Sequence, residues 1–260
     1  MKSVLIIGYG IVGHNLYNDL EKLCPDVYDK FNTEKNTKSD SKHYDFAFIC
    51  VDTPHLQHEY PDNDVLCDIS QIKIALLENN ADIYIIKSAI LPYTAEELSK
   101  QFGKHIVVSP EYYGATQHCD HNNFDFGFTI LGGEKEDCYK VQQLLQEVYD
   151  ARHTFRVVDS KTAELAKYME NSWLATKVAF CIQFYEACQK LGINYEELRE
   201  LFILDPRVNP AHTFVYSDHP YYESHCLDKD VFAIAEMLDM DLLQDIIKFN
   251  KKQKEKYKNK

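Results

Sequence analysis

Val4-Leu5-Ile6-Ile7-Gly8-Tyr9-Gly10-Ile11-Val12-Gly13 runs an apolar stretch directly into a glycine-spaced turn, which holds three of the chain's nine glycines. A buried strand that turns through G-x-G-x-x-G into a helix brings bare backbone N–H groups against a pyrophosphate, at the positive end of the helix dipole. Two neighbours strengthen this reading. The apolar helical pattern Val12, Leu16, Leu20, Leu23 follows at once, and Val27-Tyr28-Asp29 places an acidic residue 16 positions after Gly13. The pattern predicts a dinucleotide site in which Gly8, Gly10, Ile11, Val12 and Gly13 meet the pyrophosphate and Asp29 binds the adenosine ribose hydroxyls. Asp29 repels a ribose phosphate, so NAD is preferred over NADP, a preference that Lys30 weakens. The plain alternative is a strand-turn-helix that binds nothing.

Outward from this turn the pattern alternates. Asn32 to His43 is polar and reads as a loop. Phe46 to Val51 reads as a strand, Ile69 to Leu77 as a helix, Ile83 to Ile86 as a strand and Ala95 to Phe102 as a helix. His105 to Val108, Phe128 to Leu131 and Phe155 to Val158 read as strands, with a helix from Lys135 to Val148 before the last. From Ala163 to Leu191 one helical pattern continues without glycine or proline and is closed by Gly192 as a cap. Beyond it everything reads as helical except a loop from Asp205 to Asp228. The fold class predicted is α/β: a Rossmann-type doubly wound parallel sheet over residues 1–158, followed by an all-helical domain over 159–260. Ligands then lie beyond the carboxyl ends of the strands.

The 260 residues carry a net charge of −13, which argues against a nucleic-acid surface. The end differs: from Lys248 to Lys260 seven lysines accompany one glutamate, which reads as a solvated or frayed helix end rather than a binding tail. No apolar run approaches the roughly 18 residues that span a bilayer, and no charged-then-apolar leader precedes the first strand. A soluble cytoplasmic protein is expected. Eight cysteines include no C-x-x-C pair and read as mostly buried thiols. His118-Cys119-Asp120-His121 has metal-capable side chains but no second cluster, so a polar loop is expected and no metal.

Chemistry concentrates at strand ends and on the long helix. Lys167 and Asn171 are four apart, so a helix sets an ammonium and a carboxamide on one face, an oxyanion-stabilising pair in a cleft and a polar face otherwise. Cys226-Leu-Asp-Lys229-Asp230 puts a thiol beside a lysine and a carboxylate that supplies a base for water; a lone core cysteine is the alternative. Glu111 follows Ser109-Pro110 at a strand end, the catalytic edge of such a sheet, or is simply solvated.

Together and in this order, these pieces resemble the UDP-glucose/GDP-mannose dehydrogenases. The resemblance runs from Met1 to about Asn250 and rests on Gly8-x-Gly10-x-x-Gly13, Val51-Asp-Thr53-Pro54, Lys87-Ser88, Ser109-Pro-Glu111, Glu164-Leu-x-Lys167-x-x-x-Asn171, Asp205-Pro-Arg207-Val and Cys226-x-x-Lys229-Asp230. It implies oxidation of the primary alcohol of a nucleotide-linked sugar to a carboxylate, with two NAD and a cysteine thioester. Cys226 then resembles the nucleophile that captures the aldehyde, while Lys167 and Asn171 stabilise alkoxide and oxyanion against the substrate. Asp230 activates water with Glu111 assisting. Val51, Thr53, Pro54, Ser88 and Lys229 line the cofactor. Arg207 reaches a partner's substrate across a homodimer formed largely by the long helix.

The sequence also departs from the family. Tyr221-Tyr-Glu-Ser-His225 stands where a glycine-rich run is usual, Ala89 where a threonine is, and Tyr93 where a glycine is common. The chain stops after the helical segment, so the resemblance is to a short form without the family's C-terminal nucleotide-binding domain, and weak UDP-sugar binding or a smaller sugar substrate is expected. Two alternatives stay open: a one-step hydroxyacid dehydrogenase of the 6-phosphogluconate type, and a non-catalytic or regulatory NAD-binding remnant.

Overall fold

The computed structural model describes residues 2–39, 42–55, 65–112 and 127–258. Among them, one seven-stranded sheet comprises β1 (Val4–Ile7), β2 (Asp26–Tyr28), β3 (Tyr44–Ile49), β4 (Ala81–Ile86), β5 (His105–Val108), β6 (Phe128–Gly132) and β7 (Thr154–Val158), in the order β2-β1-β3-β4-β5-β6-β7. All neighbours are parallel except β5 and β6, which meet antiparallel at Val108 and Gly132. Helices α1 (Ile11–Asp19), α2 (Ser70–Glu78), α3 (Thr94–Phe102) and α4 (Lys135–Leu145) belong to this part of the chain.

The strands read as unbroken apolar runs because both faces are covered. Val4, Ile6, Phe48 and Ile85 pack with Leu16, Leu20, Val141 and Leu144 on one side. Leu5, Ile7, Ile49 and Ile86 pack with Ile72, Leu76 and Leu98 on the other. The period-2 alternation within one apolar run decides which face each residue serves.

The long helix α5 spans Ser160–Leu191 and ends before Gly192, whose φ is 67°. After it come α6 (Tyr195–Phe202), α7 (His225–Leu238) and α8 (Asp241–Lys258). The chain divides into two compact units, and within α5 the division falls between Lys167 and Tyr168. Within the second unit Lys254, Lys256 and Lys258 of the lysine-rich end pair with Asp228, Glu186 and Glu223, and Lys256 and Lys258 stay exposed to solvent in these pairs.

Three local expectations are corrected. The apolar pattern to Leu23 is not one helix: α1 stops at Asp19 and a 3-10 turn over Glu21–Leu23 follows. Cys24 then takes a left-handed φ of 48° immediately before Pro25, a residue that disfavours helix in its predecessor. The polar stretch from Asn32 contains a 3-10 turn over Thr33–Lys35. The loop expected to reach Asp228 ends earlier, because Ser224 caps α7 by accepting from Leu227 N at 2.9 Å, while Asp228 Oδ2 accepts from Ser224 N at 2.8 Å. Cys226 therefore stands in the first turn of a helix.

Tyr93 shows why glycine suits its position: its φ is 78°, a conformation that costs a side-chain-bearing residue about 1–2 kcal/mol. Its N–H donates to Glu164 Oε2 and that of Ala95 to Oε1, each at 2.8 Å, so a carboxylate from α5 caps the start of α3. Burial pushes the Glu164 carboxyl up to about 7 against these two donors. Tyr93→Gly relieves the backbone strain, returns about 0.5–1 kcal/mol of unfolded-chain entropy and loses the Lys161 ammonium contact on the ring. Urea unfolding should show a net change within about 1 kcal/mol, on the stabilising side; a loss above about 2 kcal/mol would mean that the ring outweighs the strain.

Candidate functional site

The glycine turn is built as a cradle. Gly8 has a φ of 92°, and a Cβ on it would lie 2.6 Å from Cys50 O; one on Gly13 would lie 1.9 Å from Gly8 O. Those two glycines close the turn on itself and on β3. Gly10 is different, since a Cβ there meets nothing within 4 Å. Packing does not require that glycine, and the open space beside it borders the start of α1. No side chain caps this helix and no acidic residue sits in its first turn, so its N–H groups and dipole are left available to an anion. Ile11 exposes a large apolar side chain beside the cradle.

Asp29, at the end of β2, is tied to the same turn. Its Oδ2 accepts from Tyr9 N at 2.6 Å, and its Oδ1 from Phe31 N and Asn32 N at 2.7 Å. Burial works against its charge, but the donors of Tyr9, Asn32 and Phe31 outweigh burial and hold the carboxyl below its ordinary value. A fixed carboxylate thus stands next to the cradle. The glycine turn, the uncapped helix start and the carboxylate of Asp29 suit a dinucleotide without a 2′-phosphate.

At the ends of β3 and β4 two hydroxyls clasp neighbouring loops. Thr53 Oγ1 donates to Ala89 O at 2.7 Å and Ser88 Oγ to Val51 O at 2.5 Å. The same turn is closed by Asp68 N, which donates to Pro54 O at 2.7 Å. Lys87, buried, brings its Nζ to 3.5 Å from Ser109 Oγ. Burial lowers its pKa, while Glu111, Cys50 and Asp19 pull it up and Lys167 adds to the fall. Lys87, Glu111 and Lys167 therefore share one electrostatic neighbourhood at the carboxyl edge. Lys167 Nζ lies 4.6 Å from the centroid of the Tyr112 ring. The burial of Lys87 was carried only by its place in a motif; the local signal is a lysine set directly after the apolar run of β4.

In the second unit, a buried carboxylate organises the other candidates. Asp230 Oδ2 accepts from Asn171 Nδ2 at 2.6 Å and Oδ1 from Lys229 Nζ at 2.7 Å. Lys229 thus forms an ion pair with Asp230 inside the unit. Asp230 stands one turn after Cys226 on α7, and Cys226 is exposed and outside any disulfide. Asn171 is held one helical turn from the thiol's position along α7, and Lys167 lies one turn before Asn171 on α5. Arg207 is exposed, and its guanidinium is gathered by Asp205 two residues earlier. The run His118 to His121 lies outside the described residues, among which no cluster of metal-ligating side chains occurs.

A glycine cradle at the first turn of a mostly parallel sheet, beside a fixed carboxylate, defines a fold of the dinucleotide-binding class. Residues 3–153 match the UDP-glucose/GDP-mannose dehydrogenase family, NAD binding domain, and residues 161–252 match the central domain of the same family. The chain belongs to the UDP-glucose/GDP-mannose dehydrogenase family. It is 25% identical over 220 residues to the UDP-glucose 6-dehydrogenase of Rickettsia prowazekii, covering 81% of this chain and 50% of that protein. It is 27% identical over 233 residues to the UDP-N-acetyl-D-mannosamine dehydrogenase of Methanocaldococcus jannaschii, covering 84% and 50%. A UDP-glucose dehydrogenase structure from Pyrobaculum islandicum superposes with a TM-score of 0.77 at 19% identity, covering 96% of this chain and 68% of that one, a likeness of fold. The chain spans about half the length of the curated relatives it matches. No helix among the described residues is long and apolar enough to cross a membrane.

Proposed function

We propose that this chain carries out the NAD-dependent oxidation of the primary alcohol of a nucleotide-linked sugar to a carboxylate, through a thioester on Cys226. The observation that carries the reading is the Asn171–Asp230–Lys229 cluster one helical turn from the exposed Cys226. NAD would be held by Gly8, Gly10, Ile11, Val12, Gly13 and Asp29 with Val51, Thr53, Pro54, Ser88 and Lys229 alongside, and two NAD bound in turn would supply one hydride acceptor for each oxidation. The chain's own residues do the rest. Lys167 and Asn171 stabilise the negative oxygen as the alcohol loses its proton and hydride to become an aldehyde. The Cys226 thiolate adds to the aldehyde carbon, giving a thiohemiacetal; loss of the second hydride leaves the thioester. Water, oriented by Asp230 with Glu111, cleaves the C–S bond and releases the acid and the thiol.

The relatives named above act on UDP-glucose and UDP-N-acetyl-D-mannosamine, and these two sugars are the substrates to test first. Titrating each against the NAD-loaded protein should produce NADH with one of them; NADH from neither, with NAD bound, would favour a non-catalytic NAD-binding role. The α5 surface exposes Leu165, Met169, Trp173, Phe180 and Phe184, a stripe at helical spacing that suits a homodimer, with Arg207 serving the partner's substrate. Sedimentation should show a dimer, and a monomer at working concentration would remove both assignments.

A further inference from the structure

We infer that α8 is a positioning element for Cys226, acting chiefly through Asn250 and Lys254; the inference rests on the reading of Cys226 as the nucleophile. Asn250 is buried, and its carboxamide satisfies both backbone groups of one residue: Oδ1 accepts from Tyr222 N and Nδ2 donates to Tyr222 O, each at 2.9 Å. A side chain thus makes the pairing that a neighbouring strand would make, and only a carboxamide has the donor and acceptor side by side to do so. Four residues later Lys254 Nζ reaches Asp228 Oδ1 at 2.6 Å, and Lys258 Nζ reaches Glu223 Oε1 at 2.6 Å. Asp228 in turn accepts from Ser224 N, whose Oγ caps α7.

One face of α8 therefore grips Tyr222, Glu223 and Asp228, the residues that bracket Cys226, and Ser224 through Asp228. The grip falls on Tyr221-Tyr-Glu-Ser-His225, the segment that leads into the first turn of α7. Its effect is to hold the first turn of α7 in a single geometry. A thiol in a first turn is activated by the N–H groups around it, and the activation vanishes when the turn frays. Cys226 is already exposed, so loosening the segment gains no access and loses only orientation.

The test is alkylation of the full chain by iodoacetamide, followed peptide by peptide, with exposed Cys24 of the first unit as the internal reference. Asn250→Ala should slow Cys226 relative to Cys24 by about fivefold, the size of a first-turn helix effect, and Lys254→Ala should do so in the same direction by less. Lys256→Ala, which breaks a pair with Glu186 on α5 and leaves the segment held, should leave the ratio unchanged. With substrate and NAD, kcat should fall in step with the ratio while KM for the sugar holds. An unchanged ratio in folded Asn250→Ala overturns the inference, and should that variant not fold, an unchanged ratio in Lys254→Ala does so. A slowed Cys226 with undiminished NADH production keeps the positioning role and overturns Cys226 as the nucleophile.

Discussion

Cys226→Ser is expected to abolish the conversion of sugar to acid, by roughly three orders of magnitude or more, while NAD binds as before. The hydroxyl keeps the size of the thiol and its place in the first turn of α7, so folding is untouched at an exposed site. What is lost is the nucleophile: a serine hydroxyl stays protonated near neutral pH where a cysteine thiol ionises far more readily, so the aldehyde is not captured. The first oxidation does not need the thiol, so the variant should release aldehyde or stall after one hydride. Stopped-flow absorbance of NADH, with the sugar product identified by mass spectrometry, checks the outcome. Full acid production by the variant would remove the thioester.

The second large effect separates two glycines three residues apart. Gly13→Ala sets a Cβ 1.9 Å from Gly8 O, a backbone atom that cannot swing aside, and should cost on the order of 3 kcal/mol or more of folding stability. Set against a typical total of about 5–15 kcal/mol, that is enough to lower the thermal midpoint by many degrees. Gly10→Val should leave stability within about 1 kcal/mol, because no atom lies within 4 Å of a Cβ there and its φ of −74° suits any residue. It should weaken NAD by about a hundredfold, or about 2.8 kcal/mol, by filling the cradle. Thermal melts and NAD titration of the two variants make the comparison; equal NAD affinity in Gly10→Val and the parent would remove the proposed site.

Where structure followed from short-range pattern, the sequence was informative. The apolar runs of β1, β3 and β4 and the glycine turn were legible because burial on both faces and a close backbone approach each leave a local trace. The hydrogen bond from Asn171 to Asp230 was not legible, since 59 residues separate the two. Tertiary partners were not legible. Nothing near Tyr222 announces that Asn250 will pair with its backbone, and nothing near Tyr93 announces the capping carboxylate of Glu164. The start of α7 was missed for a related reason: the acidic residue that reaches back to Ser224 is Asp228, one position later than the usual capping spacing. Cys24 before Pro25 was legible in principle, and the run of leucines concealed the break.

The Cys226 thiol is proposed to capture the product of the first oxidation and hold it for the second. The most direct measurement is the count of hydrides per sugar: the chain with a limiting nucleotide sugar that it oxidises and free NAD in excess, with NADH and the uronic acid quantified together. Two NADH per acid released, falling to one or none in Cys226→Ser, is the predicted result. One NADH per sugar, unaffected by that substitution, would contradict it and point to a one-step alcohol oxidation.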